Sequence, residues 1–220
     1  MNAVTDQFDE WFFLEDKRIE EHAPLTDQTN PWQRLNSEIA FDCPYYLARR
    51  DTVLHRSGKT HPYVSVRMKF RGVTVLPIDE HGFTTIIGQF RYTLDQYTWE
   101  CVRGGIPIGI DSLDGAKQEL LEESGYQADK WLHLFDLTAS PGVTDEMAPC
   151  FIAWQLREGQ PQPAQEEAIA QRRIPFSEAV RMCLSGEIVD AASMALILGA
   201  YSKMANGELP NDLLGMMRRA

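Results

Sequence analysis

Three glutamates, Glu119, Glu122 and Glu123, crowd into five positions of the segment GGIPIGIDSLDGAKQELLEESGY, which runs from Gly104 to Tyr126. On a helix, carboxylates related by i,i+3 and i,i+4 repel by roughly 0.2–0.5 kcal/mol per pair. No Lys or Arg stands four residues away on the same face to relieve them. Such a cluster is either a solvated acidic face or a set of hard oxygen ligands. In the second case the partner is a divalent cation such as Mg²⁺, completed by water and phosphate oxygens.

The segment that must position these groups divides cleanly at the helical period. Leu113, Ala116, Leu120 and Leu121 fall on one arc, which faces a core, and the three glutamates fall on the adjoining arc. Asp111 or Ser112 caps the start and Gly125 suits the left-handed residue that ends a helix, so a helix is predicted over 112–124. Gly115 leaves room beneath the acidic arc for a neighbouring loop.

Around this helix the chain reads as strands. Tyr63 to Phe70 alternates as Tyr-Val-Ser-Val-Arg-Met-Lys-Phe, the period of a half-buried strand. Glu38–Phe41 and Tyr45–Val53 precede it, with a turn at Ser57-Gly58-Lys59. Gly72–Ile78, Phe83–Tyr92 and Tyr97–Val102 lead up to the glycines; Trp131–Leu137, Cys150–Leu156 and Ile169–Ile174 follow the helix. Helices at Phe176–Leu184 and Ala191–Met204 close the pattern, and a short helix is expected near Phe8–Glu21. Mixed strands flanked by a few helices predict an α+β fold, an α/β/α sandwich. The expected divisions are an N-terminal extension (1–35), a small N-terminal β subdomain (36–70), a main domain (71–206) and a C-terminal tail (207–220).

Bulk properties narrow the function classes. A net charge of −11 over 220 residues excludes a general binder of nucleic acid or anionic membrane, both of which need clustered positive charge. The four cysteines stand far apart with no CxxC pair, as free thiols in a reducing compartment do. The N-terminus is acidic where a secretory signal would be basic, and the longest apolar run, Ala195–Tyr201, is too short for a bilayer. A cytoplasmic protein acting on a small molecule is expected.

The segment from Gly104 resembles the Nudix box, G-x5-E-x7-R-E-U-x-E-E-x-G-U with U a bulky apolar residue. Gly104, Glu119-Leu120, Glu122-Glu123, Gly125 and Tyr126 take their places in it. GQFRYTLDQYTWECVRGG (Gly88–Gly105), ASPGVTDE (Ala139–Glu146), GEIVDAASMALIL (Gly186–Leu198) and SGKTHPY (Ser57–Tyr63) resemble flanking elements of the ADP-ribose pyrophosphatase branch. The resemblance runs from about Trp32 to Tyr201. Two box positions depart from it: the first glutamate is Ile110 and the arginine is Gln118, a pair that in the family braces the loop against the helix.

The resemblance implies a Nudix fold with a mixed sheet and Mg²⁺-dependent (or Mn²⁺-dependent) attack of water on a nucleoside diphosphate linked to another moiety. ADP-ribose or a nucleotide sugar is the implied substrate, giving a nucleoside monophosphate and a phosphorylated product. Glu119, Glu123, Glu167 and the Arg103 carbonyl are the implied metal ligands, with Glu122 a further or shared ligand close to the chemistry. Glu166 and Glu146 compete as general base. Arg91 either contacts phosphate or forms a structural ion pair, and the Arg103 side chain lies close enough to touch substrate. Tyr45 and Tyr63 either stack a nucleobase or simply pack. A homodimer through the N-terminal strands is expected. The alternative is an impaired Nudix protein that binds a nucleotide as a sensor or scaffold.

Overall fold

The computed structural model describes residues 29–159 and 169–219. The helix expected near Phe8–Glu21 and the acids Glu166 and Glu167 lie outside these described residues.

The chain opens as an antiparallel meander of three strands, β1 (Trp32–Asp42), β2 (Tyr46–His55) and β3 (Thr60–Met68). β1 is exposed along all eleven residues, with Trp32, Leu35, Ile39 and Phe41 open to solvent. A long edge strand carrying apolar side chains in water is a surface made for covering.

The second sheet holds seven strands: β4 (Phe70–Ile78), β5 (Phe83–Arg91), β6 (Gln96–Glu100), β7 (Val102–Pro107), β8 (Tyr126–Leu137), β9 (Ala148–Glu158) and β10 (Ala170–Pro175). Its main order is β10-β5-β4-β9-β8, with β6 paired to β5 and β7 to β4. The β4–β9 pair is parallel and the other pairs antiparallel, so the sheet is mixed. β4 and β9 are buried on both faces, which explains their near-continuous apolar runs.

Helix α1 (Ser112–Ser124) covers one face, where Ala116 and Leu120 pack on Val73, Val75, Ile87, Val102 and Ile106. The helices α2 (Phe176–Ser185), α3 (Ala191–Asn206) and α4 (Asn211–Met217) cover the other, around Leu76, Ile78, Ile152, Leu196 and Leu213. The result is the expected α/β/α sandwich.

The strands β1 and β8 start earlier than expected, at Trp32 and Tyr126 rather than Glu38 and Trp131, so β1 takes in the end of the expected N-terminal extension. Two further features differ from the sequence reading. The strand expected to end at Val102 breaks at Cys101, and a new strand, β7, carries the glycines Gly104 and Gly105 opposite Val73 and Gly72. The segment read as a C-terminal tail carries α4, whose Leu213 and Met217 are buried. A seven-residue helix is too short for its periodicity to be legible in sequence, and packing rather than propensity holds it.

Asp212 anchors α4 by accepting hydrogen bonds from Lys130 Nζ (2.7 Å) and Trp154 Nε1 (2.9 Å). These bonds, Lys130 first, hold its carboxyl down at about 2, against 3.8 when free. A carboxyl depressed by folding contributes fully above its unfolded value and loses that contribution as pH falls through its folded one. Asp212→Asn is therefore expected to lower the Tm at neutral pH but not at about pH 2, so a Tm–pH curve steeper than wild type in acid would contradict this anchor.

Candidate active site

Helix α1 begins as its sequence requires. Asp111 caps it, accepting from Leu113 N at 2.9 Å and Asp114 N at 3.2 Å, and Gly125 ends it in the left-handed conformation. Gly115 admits β7 to the helix surface, since a Cβ there would collide with the Ile106 side chain.

That close approach places two of the three glutamates against β7. Glu123 is only 4% exposed and accepts a hydrogen bond from Arg103 N at 3.1 Å. Half-buried Glu119 lies against Gly104, where any Cβ would run into its carboxylate. Glu122 takes a different course and accepts from the exposed Gln118 Nε2 at 2.8 Å. The acidic arc thus separates into an inward pair and an outward single residue.

Gly104→Ala tests the close approach directly. The added methyl displaces the Glu119 carboxylate, and a misplacement of about 1 Å in a catalytic constellation costs on the order of a hundredfold in rate. A hundredfold loss of kcat with the far-UV circular dichroism unchanged is expected; wild-type kcat would show that Glu119 is not held there.

Glu123 opens into a cavity of ≈ 340 Å³, lined also by Gln89, Arg91, Arg103, Gly104 and Glu146. Arg91 Nε donates to Glu100 Oε1 at 2.7 Å, and its Nη2 pairs with the second oxygen. Thr98 Oγ1 donates to the same carboxylate at 2.7 Å, and Arg103 Nη1 stands 3.8 Å away. Burial pushes the Glu100 carboxyl up, but the bonds from Arg91 and Thr98 and the two cations outweigh it and hold it below its usual range. The bond to Glu100 holds Arg91 above its ordinary value against the opposing effect of burial, and the charges of Glu100, Asp190 and Glu123 add to it. Arg91 thus forms the structural pair and lines the cavity at once.

Arg103 also pairs with Asp190, the residue that caps α3 by accepting from Ser193 N at 2.8 Å and Ser193 Oγ at 2.7 Å. Sequence reading missed Asp190 because it lies 87 residues from Arg103 and looks locally like an ordinary helix cap. Gln171 was missed too; its Nε2 donates to the Glu123 backbone carbonyl at 2.6 Å.

Tyr45 and Tyr63 are not brought to this cavity. Tyr45 is 67% exposed beside β2, and Tyr63 donates its hydroxyl to Gly142 O at 3.1 Å, beside a separate depression. Glu146 does line the cavity. The two box departures sit on the surface: Ile110 is 49% exposed and Gln118 is exposed.

Among the described residues no three acidic, histidine or cysteine side chains converge as a closed metal cage. Two inward carboxylates with hard oxygen donors still fit Mg²⁺, which typically takes one or two protein carboxylates and completes its shell with water and substrate phosphate. Zinc would ask for His or Cys ligands, and the four cysteines are free, three of them buried in the core.

An ADP-ribose pyrophosphatase of Mycobacterium tuberculosis is 30% identical over 190 residues, spanning 83% of this chain and 89% of that protein. A GDP-mannose pyrophosphatase of Klebsiella pneumoniae is 34% identical over 169 residues, 70% of this chain and 79% of that one. The crystal structure of an ADP compounds hydrolase matches the fold with a TM-score of 0.74 at 17% identity, over 84% of this chain and all of that one. No family model matches the chain. The sandwich, the glutamates against β7 and these similarities show that the chain belongs to the Nudix hydrolase superfamily, as a pyrophosphohydrolase of its ADP-ribose pyrophosphatase-like branch. Nudix pyrophosphatases generally use a divalent metal. No helix among the described residues is long and apolar enough to cross a membrane.

Proposed function

We propose that this enzyme hydrolyses the pyrophosphate of ADP-ribose or a related nucleotide-sugar diphosphate with Mg²⁺, or Mn²⁺ in its place, releasing a nucleoside monophosphate and a sugar phosphate. The observation that carries this reading is the pair Glu119 and Glu123 packed against β7 beside an arginine-lined cavity. Bound there, the cation supplies neutralisation of the pyrophosphate charge and acidification of the attacking water.

The chain's own residues divide the remaining work. Glu119 and Glu123 would hold the cation, with Glu122 a second or shared ligand. Arg91 keeps its guanidinium oriented through Glu100, so its cavity-facing charge meets phosphate without first being ordered. Glu146, on the cavity wall, takes the proton of the attacking water. By the family resemblance Glu166 is the rival base and Glu167 a further ligand. A second copy of the chain covers the apolar β1 edge, and Tyr45 and Tyr63 meet a nucleobase only in that assembly. Sedimentation as a monomer at micromolar concentration would remove this dimer.

The test is a panel of nucleoside diphosphate derivatives incubated with the protein and Mg²⁺ or Mn²⁺, with monophosphate release as readout. Release that needs the metal supports the reading; no product from any member sinks it. Tight nucleotide binding without release would instead favour the sensor reading, for which the replacement of the box pair by Ile110 and Gln118 is the one argument.

A further inference from the structure

We infer that Asp145 is a positioning residue that fixes Glu146 on the cavity wall by tying the loop before it to the N-terminal sheet. The inference rests on the reading of Glu146 as general base given above. Residues 138–147 join β8 to β9 and carry no helix or strand of their own, so regular structure does not fix a side chain near the end of this loop.

The loop is bound to β3 instead. Val66 N donates to Val143 O at 2.8 Å, Asp145 N to Val66 O at 3.3 Å, and the Tyr63 hydroxyl to Gly142 O at 3.1 Å. Asp145 adds a side-chain bond, its Oδ1 accepting from Met68 N at 2.8 Å. One residue past Glu146, Met147 O accepts from Gly72 N of β4 at 3.1 Å. Glu146 thus stands between two tethers, one to the end of β3 and one to the start of β4. Its own N–H turns back on Thr144 Oγ1 at 3.1 Å.

The bond to Met68 N acts directly beside the base, and a carboxylate accepting from a backbone N–H makes one of the stronger kinds of hydrogen bond. Asp145 also pairs with Arg67 at 3.3 Å, but both side chains are more than half exposed, so that pair contributes little. The N-terminal sheet is therefore part of the mounting of the active site. Two neighbouring acids divide the labour: Asp145 is held by the sheet and Glu146 lines the cavity.

Asp145→Asn keeps an oxygen for Met68 N, and Asp145→Ala removes it. Turnover of the panel substrate hydrolysed fastest, at saturating Mg²⁺, reads the consequence in kcat and KM separately. A general base contributes about a hundredfold or more, which sets the loss expected in Glu146→Gln. Asp145→Ala leaves the base present but loosely held, so kcat should fall about tenfold with KM little changed. Asp145→Asn should restore most of that loss. Adding Asp145→Ala to Glu146→Gln should cost nothing further, because a positioning residue has no effect once the group it positions is gone.

A purely structural role for Asp145 predicts the same fold loss with either residue at position 146, and that result would overturn the inference. Wild-type kcat in Asp145→Ala, or a loss confined to KM, would overturn it as well. Wild-type kcat in Glu146→Gln would remove the base and the inference together, whereas independent losses in an enzyme that needs Glu146 sink the inference and leave the base standing.

Discussion

Glutamine at position 123 is expected to lower kcat by roughly a thousandfold, since charge stabilisation by a bound metal is worth several kcal/mol and each 1.36 kcal/mol is tenfold in rate. The substitution is nearly isosteric. The amide oxygen can still accept from Arg103 N, so the packing of α1 on β7 survives. What disappears is the negative charge beside the cavity, which an amide cannot supply to a divalent cation. Turnover of any substrate that the panel identifies, measured at saturating Mg²⁺, provides the check. A fall of less than tenfold would move the metal away from Glu123. Tm should change little, which separates this loss from unfolding.

The second large effect is on stability. Arg91→Met removes the main partner of Glu100, a carboxylate only 1% exposed. Thr98 and the more distant Arg103 remain, so the buried charge is undercompensated, and breaking a buried pair in this way costs about 3 kcal/mol. For a domain of this size that corresponds to a fall in Tm of roughly 6–12 °C.

The pH dependence carries the sign. In the wild type the Glu100 carboxyl is held below its usual range, so its contribution is present above the unfolded value and fades as pH falls. Without Arg91, burial dominates and raises that carboxyl above its unfolded value. The variant is then penalised most at neutral pH, where the group must be charged, and least in acid. The Tm gap between wild type and variant should narrow between pH 7.5 and about pH 4; a gap that stays constant would show that packing, not the charge, is what Arg91 contributes.

The helix carrying the glutamates was legible because its information is local. The apolar spacing, Asp111 as cap and Gly125 as terminator all lie within one short segment, and the observed bounds are those predicted. The α/β/α layering was legible for a similar reason, since strands and helices alternate in period along the chain. β7 was not: two glycines in a row argue against a strand when read locally. They are tolerated because Glu119 and the Phe70 ring occupy the space their side chains would need.

Within the site the same boundary holds. That Glu119, Glu122 and Glu123 share an arc follows from the helical period alone. That Glu119 and Glu123 turn toward β7 while Glu122 pairs with Gln118 depends on where β7 lies, which no spacing on the helix encodes. The counter-ion of Arg103 stands 87 residues later in the chain, and the two arginines of Glu100 meet only when β5, β6 and β7 come together. Sequence by itself determined which residues could ligate a cation, because ligand chemistry and helical period are properties of neighbours along the chain. Tertiary structure alone decided which of them do face the cavity and what holds the two arginines in place, because charge pairs form through space between strands and helices that sequence order keeps apart.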